Sequence, residues 1–296
     1  MGTIRIAVHG GAGNDKRNED GCKKAADAGE HVLRSGHTSL DAVVAAVMAL
    51  EDDGRFNAGS GSVMCLDGAT VEMDAAVMDT RGALGAVACI EQVKNPVRVA
   101  RAVAVTPHRL LAGRGATAFA RRAGFPEYTA NNPLAAKQHN ELIRDLGKRP
   151  DDADATAMRR FWNYDMGWSE AIDRYACDTV GAVALDADGH FAVATSTGGS
   201  APSLLGRVGD TPLIGCGYYA GAHGAIAVTG IGEHIIPHLL ARTVYGWLES
   251  GTALQQALDR AVGLFPSHID VGLIGVDKTT AGASSNREMP VDLIHE

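Results

Sequence analysis

The run TIRIAV at residues 3–8 is mostly apolar and stops at the glycine-rich turn His9-Gly10-Gly11-Ala12-Gly13, which predicts a buried strand. Apolar positions then recur at helical spacing over 19–35. A second helical stretch, LDAVVAAVMALEDD, follows with Ser39 as its expected N-cap. The loop FNAGSG at 56–61 separates these helices from two strand patterns, SVMCL and TVEMDAAVM, joined by a Leu66-Asp67-Gly68-Ala69 turn. A strand at 82–90 and helices near 97–106, 114–123 and 133–147 come next. From Arg149 to Cys177 the periodicity disappears: RPDDADATA is acidic and turn-rich, FWNYDMGW at 161–168 is aromatic, and only EAIDRYA suggests a short helix. The β pattern resumes with TVGAVALD at 179–186 and FAVATST at 191–197, joined by a turn whose Asp-Gly step is a strong hairpin signal. Strands near 212–215, 224–230 and 271–276 and helices near 233–249 and 253–262 complete the pattern. Strands and helices arrive in blocks rather than in βαβ alternation. This predicts an α+β fold of layered, largely antiparallel sheets.

Composition narrows the class. With 296 residues, 46% of them hydrophobic and 21% charged, the chain reads as globular, and its length allows one large domain, 1–296, or two small ones. The formal net charge is −8 and no Lys/Arg block occurs, so no nucleic-acid partner is expected. No apolar stretch approaches the ~18 residues of a membrane span, so no membrane partner is expected either. The five cysteines are odd in number and lack CxxC spacing, which fits free thiols in a reducing compartment. The opening MGTIRIAVHGGAG carries neither the basic nor the apolar region of a signal peptide, and the expected location is cytoplasmic.

The chemistry concentrates at Asp178-Thr179-Val180-Gly181. Thr179 opens an apolar strand directly after the irregular segment. A cut before it would give one residue both a nucleophilic hydroxyl and its own base, the freed α-amine. Such an amine has a pKa of about 7.7–8.0 against roughly 10.4 for lysine, so it takes up a proton near neutrality. Taken alone, the tetrapeptide is equally the ordinary start of a strand. Its partners lie elsewhere. The hairpin brings Thr197, at the end of its second strand, beside Thr179. Gly206-Arg207-Val208-Gly209-Asp210 sets a cation and an anion close together on a loop. Thr229-Gly230-Ile231-Gly232 lies between a strand and a helix, where free N–H groups can meet an anion. Asn57 sits in its own glycine-rich loop.

In order and spacing, HGGAG at 9–13, FNAGSG at 56–61, VEMDAAVMD at 71–79, DTVGAVALD at 178–186, ATSTGG at 194–199, GRVGD at 206–210 and TGIGE at 229–233 resemble one family. It is the plant-type L-asparaginase and isoaspartyl aminopeptidase family of N-terminal-nucleophile hydrolases. The resemblance implies a four-layer αββα sandwich. It implies self-cleavage between Asp178 and Thr179 into an α fragment, 1–178, ending in a linker of about 149–178, and a β fragment, 179–296. Mature Thr179 would attack the side-chain carbonyl of L-asparagine or a β-aspartyl dipeptide, and water would hydrolyse the β-aspartyl-enzyme. Thr197 would orient Thr179, Thr229 and Gly230 would form the oxyanion hole, and Asn57 would contact the free amine or the substrate. Arg207 would take the substrate's α-carboxylate in a planar fork and Asp210 its α-ammonium, with Gly230 and Gly232 kept small for close approach. No cofactor is implied for catalysis. A structural sodium ion is, on backbone carbonyls of Leu50, Glu51, Asp53, Phe56, Ala58 and Ser60. The implied partners are the amino-acid or dipeptide substrate and a second αβ unit in a homodimer.

Two departures keep alternatives open. Asp178 stands where many members of the family have glycine, a feature of glycosylasparaginase-like amidases, which are the alternative within the enzymes. PSHIDVG at 266–272 replaces a glycine-rich segment on the leaving-group side, so the leaving group is open. A non-maturing, non-catalytic scaffold is the alternative outside the enzymes, and the full set Thr179, Thr197, Arg207, Asp210 and Thr229 argues against it. Residues 113–118 and 215–220 fit a loose GxGxxA pattern without βαβ context, and read as packing or turn glycines. His234 and His238 are four apart, as helical metal ligands would be, but no third ligand accompanies them. His9 reads as a structural hydrogen-bonding residue. The 161–168 stretch reads as a cover that docks over the site before maturation.

Overall fold

Alternation and helical spacing account for most of the elements in the computed structural model, which describes residues 2–130, 132–146 and 179–295. Asp178, the 149–178 linker and the aromatic 161–168 stretch lie outside the described residues. Strand β1 (Arg5–His9) is buried from Ile6 to its end. Helix α1 (Glu19–Arg34) turns a narrow stripe of small residues inward, Cys22, Ala25, Ala26 and Gly29 among them. That stripe lets α2 (Ser39–Asp53) pack closely against it. The N-cap of α2 is Thr38, not Ser39. The Thr38 hydroxyl accepts from Asp41 N at 3.2 Å and Asp41 accepts from Thr38 N at 3.2 Å, a reciprocal capping box. Ser39 instead donates its N–H to Asp186.

Strands β2 (Met73–Asp79) and β3 (Leu84–Ile90), helix α3 (Pro96–Ala104), strand β4 (Leu110–Ala112) and helices α4 (Gly113–Arg122) and α5 (Pro133–Leu146) complete the first part of the chain. The expected hairpin appears as β5 (Val180–Leu185) and β6 (Phe191–Thr197). Then come β7 (Tyr218–Gly221), β8 (Gly224–Gly230), α6 (Gly232–Ile235), α7 (Leu240–Glu249), α8 (Leu254–Val262), β9 (Val271–Val276), β10 (Ala281–Ser285) and β11 (Val291–His295). The architecture is mixed α+β with two sheets. One has seven strands in the order β11-β1-β5-β6-β2-β3-β4, the other four in the order β10-β9-β8-β7. All pairings are antiparallel except β3 with β4.

The core divides according to strand alternation. Even-numbered residues of β6, Ala192 and Ala194, join the helices α1 to α3, whereas odd-numbered Phe191 and Val193 face β8 and β9 of the other sheet. Helices α7 and α8 cover a third cluster with Ile226, Val228 and Leu273.

Several expectations did not survive. SVMCL is irregular rather than a strand, and 212–215 contributes only an isolated bridge from Ile214 to Tyr218. The single helix expected at 233–249 is broken: α6 passes into a 3-10 turn containing Pro237, and Leu239 adopts a left-handed conformation (φ 45°) before α7 begins. Proline cannot donate the N–H that a continuous helix needs, which is the physical reason for the break. Strands β4, β7, β10 and β11 were not anticipated.

Candidate active site

Thr179 lies one residue before β5. The β5–β6 register pairs Val180 with Ser196, so one further step sets Thr179 against Thr197. Alternation then sorts the hydroxyls of β6. Ser196 points to the helical side and donates to Glu51 Oε1 at 2.7 Å. Thr195 points the other way and donates to the carbonyl of Thr211 at 3.1 Å. The Thr197 hydroxyl accepts from Gly199 N at 3.1 Å, shaping the turn that leaves the strand.

Thr179, Thr197, Arg207, Asp210, Thr211 and Gly230 surround one narrow pocket of about 10 Å³, room for little more than one water. A wider cavity of about 360 Å³ lies between Met64, Met73 and Tyr128, and Thr179, Arg207 and Asp210 are not among the residues that line it. The chemistry therefore belongs to the smaller space. Thr179 is almost wholly buried, and its Oγ lies 3.0 Å from Thr211 Oγ, a hydrogen bond in which either oxygen can donate.

The Arg207 side chain is held edge-on. Its Nε and Nη2 donate to Glu233 Oε1 at 2.8 Å and Oε2 at 2.7 Å. A guanidinium has two forked edges, so this pairing occupies one and leaves the Nη1–Nη2 edge available for a second carboxylate. Asp210 is buried next to it with Oδ2 unpartnered, and burial pushes its carboxyl up to about 7 against the opposing pull of Arg207. Asp74 on β2 is buried too, directly across from Thr197 in the sheet, with Oδ1 accepting from Cys89 N at 2.8 Å. Burial raises its carboxyl to about 6. The Arg207 cation thus sits among Glu233, Asp210 and Asp74, a distribution that favours a ligand carrying both an anion and a cation.

Gly230 has φ 137°, a conformation that side chains disfavour, and a Cβ there would strike the carbonyl of Asp270. A Cβ on Gly232 would lie 3.0 Å from Arg207 Nη2 and from Asp210 N and Oδ1, so glycine leaves both side chains room. Thr229 and Asn57 adjoin residues of the pocket without lining it in the uncut chain. The Thr229 hydroxyl accepts from Ala12 N at 3.3 Å, tying the HGGAG turn to β8. Asn57 spends its amide on backbone: Nδ2 donates to Gly199 O at 2.7 Å and Oδ1 accepts from Val63 N at 3.0 Å.

The chain matches the family model described as asparaginase over residues 2–291. It belongs to the asparaginase family. A plant-type L-asparaginase of Pyrococcus furiosus is 42% identical over 286 residues, covering 92% of this chain and 89% of that protein. An isoaspartyl peptidase/L-asparaginase of Macaca fascicularis is 40% identical over 285 residues, covering 93% and 87%. The human isoaspartyl peptidase/L-asparaginase is 38% identical over the same length and the same shares.

Within this asparaginase-family chain, the remaining motifs divide clearly. His9 is fully buried, neither ring nitrogen has a partner among the described residues, and desolvation pulls its pKa down to about 3. The hydrogen-bonding role expected for it is therefore not met; it is a neutral packing residue against Gly181. His234 sits in the short α6 and His238 in the turn after it, with no cluster of metal-ligating side chains among the described residues. In the 50–60 loop, Glu51 O accepts from Ser60 Oγ at 2.6 Å, Phe56 O from Ala58 N at 2.8 Å and Ala58 O from Gly61 N at 3.0 Å. The carbonyls of Phe56 and Gly54 crowd the same side of Gly61. Neutral carbonyl oxygens of this kind suit a hard cation better than a transition metal. Sequence reasoning missed Thr211, Thr195, Glu233, Asp74 and the Glu51 side chain. Only Thr195 carried a usable signal, its alternate spacing with Thr197.

Proposed function

We propose that the chain is a self-processing amidohydrolase that cleaves β-aspartyl dipeptides and L-asparagine through a β-aspartyl-Thr179 intermediate. The observation that carries this reading is the buried Thr179 hydroxyl at a pocket shared with Arg207 and Asp210. The names of the relatives, isoaspartyl peptidase/L-asparaginase and plant-type L-asparaginase, point the same way. An aspartyl group attacked at its side chain keeps a free α-carboxylate and α-ammonium, which the open edge of Arg207 and Asp210 match in charge. Ordinary peptides lack both free groups and are rejected.

Cleavage before Thr179 frees its α-amine, which takes the hydroxyl proton as Oγ attacks. Freeing that end also supplies the space that the narrow pocket of the uncut chain denies a dipeptide. Oxyanion charge meets the Gly230 N–H and the Thr229 hydroxyl, a contribution of roughly 3–4 kcal/mol per donor in comparable sites. Thr197 steadies the turn facing the nucleophile. Asn57 acts from behind, by clamping that same turn. The fold is of the four-layer αββα type: helices α1 to α3 lie on one side of the seven-stranded sheet, and α7 and α8 on the outer side of the other. The 50–60 carbonyl loop holds a sodium ion that stiffens it and takes no part in the chemistry. Two αβ units pair as a homodimer in a cytoplasmic, reducing setting.

Purified wild-type protein run on a denaturing gel separates into pieces of 178 and 118 residues, whereas Thr179→Ala stays as one chain of 30.8 kDa. The mature protein hydrolyses β-Asp-Leu and L-asparagine faster than GlcNAc-asparagine. An intact wild-type chain that is inactive on all three overturns the proposal.

A further inference from the structure

The uncut chain raises a chemical difficulty at its nucleophile. Before cleavage, the nitrogen of Thr179 belongs to a peptide bond and is no base. The hydroxyl must nevertheless lose its proton as it attacks. Among the described residues, the hydroxyl in contact with Thr179 Oγ is that of Thr211, 3.0 Å away, with both residues buried. Thr197, expected in that role, uses its oxygen to accept from Gly199 N.

Thr211 is itself fixed on several sides. Thr195 Oγ donates to its carbonyl at 3.1 Å. The preceding carbonyl, Asp210 O, accepts from Leu213 N at 3.0 Å and from Gly217 N at 3.1 Å. Gly217 in turn accepts from Val228 N at 2.8 Å, so the 210–217 turn is anchored to β8. A hydroxyl on such a support keeps one orientation, and this preorganisation separates a positioned group from a mobile one.

We propose that Thr211 is a catalytic residue that orients the Thr179 hydroxyl and relays its proton to the nitrogen from which the acyl group departs. The inference rests on Thr179 being the nucleophile. In maturation, a bond forms between Thr179 Oγ and the carbonyl carbon before it, and the bond from that carbon to Thr179 N breaks. Thr211 takes the proton from Thr179 Oγ and gives its own to that nitrogen, so the Thr211 hydroxyl is regenerated. In turnover, the same hydroxyl carries the proton from Thr179 Oγ to the freed α-amine, whose ammonium then gives it to the substrate nitrogen as that amine leaves, so the base is restored for hydrolysis of the ester. A hydroxyl serves as a relay here because it both donates and accepts. Nothing is oxidised or reduced, and no outside acid is needed.

The test compares Thr211→Ser with Thr211→Ala in the full chain, two variants of similar size that differ in one hydroxyl. Maturation is followed on denaturing gels. The matured fractions are then assayed on β-Asp-Leu for kcat and KM, with thermal midpoints measured alongside. Thr211→Ala is expected to slow maturation and lower kcat by about a hundredfold or more each, with KM within about twofold, the size of a lost proton-transfer group. Thr211→Ser is expected to stay within about threefold of wild type on both. Equal maturation and turnover in the two variants overturn the proposal, as does a loss shared by both, which would assign the effect to the methyl group. Thr211→Val, which keeps the volume, separates a poorly folded alanine variant from a missing hydroxyl: normal maturation in it also overturns the relay. Thr179→Ala is the control for the underlying reading. If that variant matures, the nucleophile is wrong; if it stays intact while Thr211→Ala behaves as wild type, only the relay is wrong.

Discussion

Asp210 makes the activity depend on acid in a way that can be calculated. Its carboxyl is buried, one oxygen is unpartnered, and desolvation raises it to about 7. Only the ionised form can pair a substrate ammonium. Below neutrality the free enzyme loses that form by tenfold per pH unit, leaving about one tenth at pH 6 and one hundredth at pH 5. The freed α-amine of Thr179, with an ordinary pKa of about 7.7–8.0, must also be unprotonated, so two losses multiply. The logarithm of kcat/KM on β-Asp-Leu is therefore expected to fall with a slope near 2 below about pH 6.5. In the substrate complex the bound ammonium holds Asp210 ionised, so kcat falls with a slope near 1. Asp210→Asn removes one of the two ionisations. Its kcat/KM at pH 8 drops at least about thirtyfold, from roughly 2 kcal/mol lost with one partner of a buried pair, and its acid slope falls to about 1. The assay is initial rate against concentration at half-unit pH steps. A wild-type slope of 1 that Asp210→Asn leaves unchanged refutes the argument.

Glu233→Gln leaves Arg207 with a weaker lateral hold, and KM is expected to rise about threefold with kcat within about twofold; the half-exposed position of Glu233 keeps the effect modest. A fall in kcat at constant KM counts against a positioning role for Glu233. A Cβ on Gly198 would lie 2.5 Å from Asn57 Oδ1 and strike Ser62, so Gly198→Ala is expected to cost about 1–3 kcal/mol and several degrees of thermal midpoint. An unmoved midpoint refutes that packing. His9 is held neutral when folded and protonates when unfolded, so its contribution is present above about 6.5 and is lost as pH falls towards 3. Glu51, Asp74 and Asp210, all raised by burial, act oppositely and lose stability as pH rises through their folded values. The His9 effect is thus read from a difference: urea midpoints at pH 6.5 and 4.5 should fall further for wild type than for His9→Gln, and parallel falls refute it.

Local signals made much of this site visible. The Asp-Gly turn and the length of the two apolar runs suffice to set Thr179 against Thr197. Chain order pointed to Arg207 and Asp210 in the loop after β6 and to Gly230 at the end of β8, and the packing of the two sheets brings these ends to one pocket. Thr211 was hidden for a physical reason. Its approach to Thr179 depends on the 210–217 turn folding back onto β8, a long-range arrangement with no periodicity to betray it. Asn57 was visible as a residue but not as a clamp, since its partners are backbone groups of distant segments. Pro237 announced its break plainly, and helical spacing on either side obscured it.

The strand order of the larger sheet has a mechanical consequence. β1, from the first part of the chain, is zipped between β11 and β5, both from the last part, and β6 is zipped to β2. A break in the backbone between 146 and 179 would leave two polypeptides threaded through one sheet. Parting them would mean tearing several ladders at once, so separation and denaturation become a single event. Such a pair should survive dilution that dissolves an ordinary two-chain complex, and should not exchange halves with a labelled copy while native.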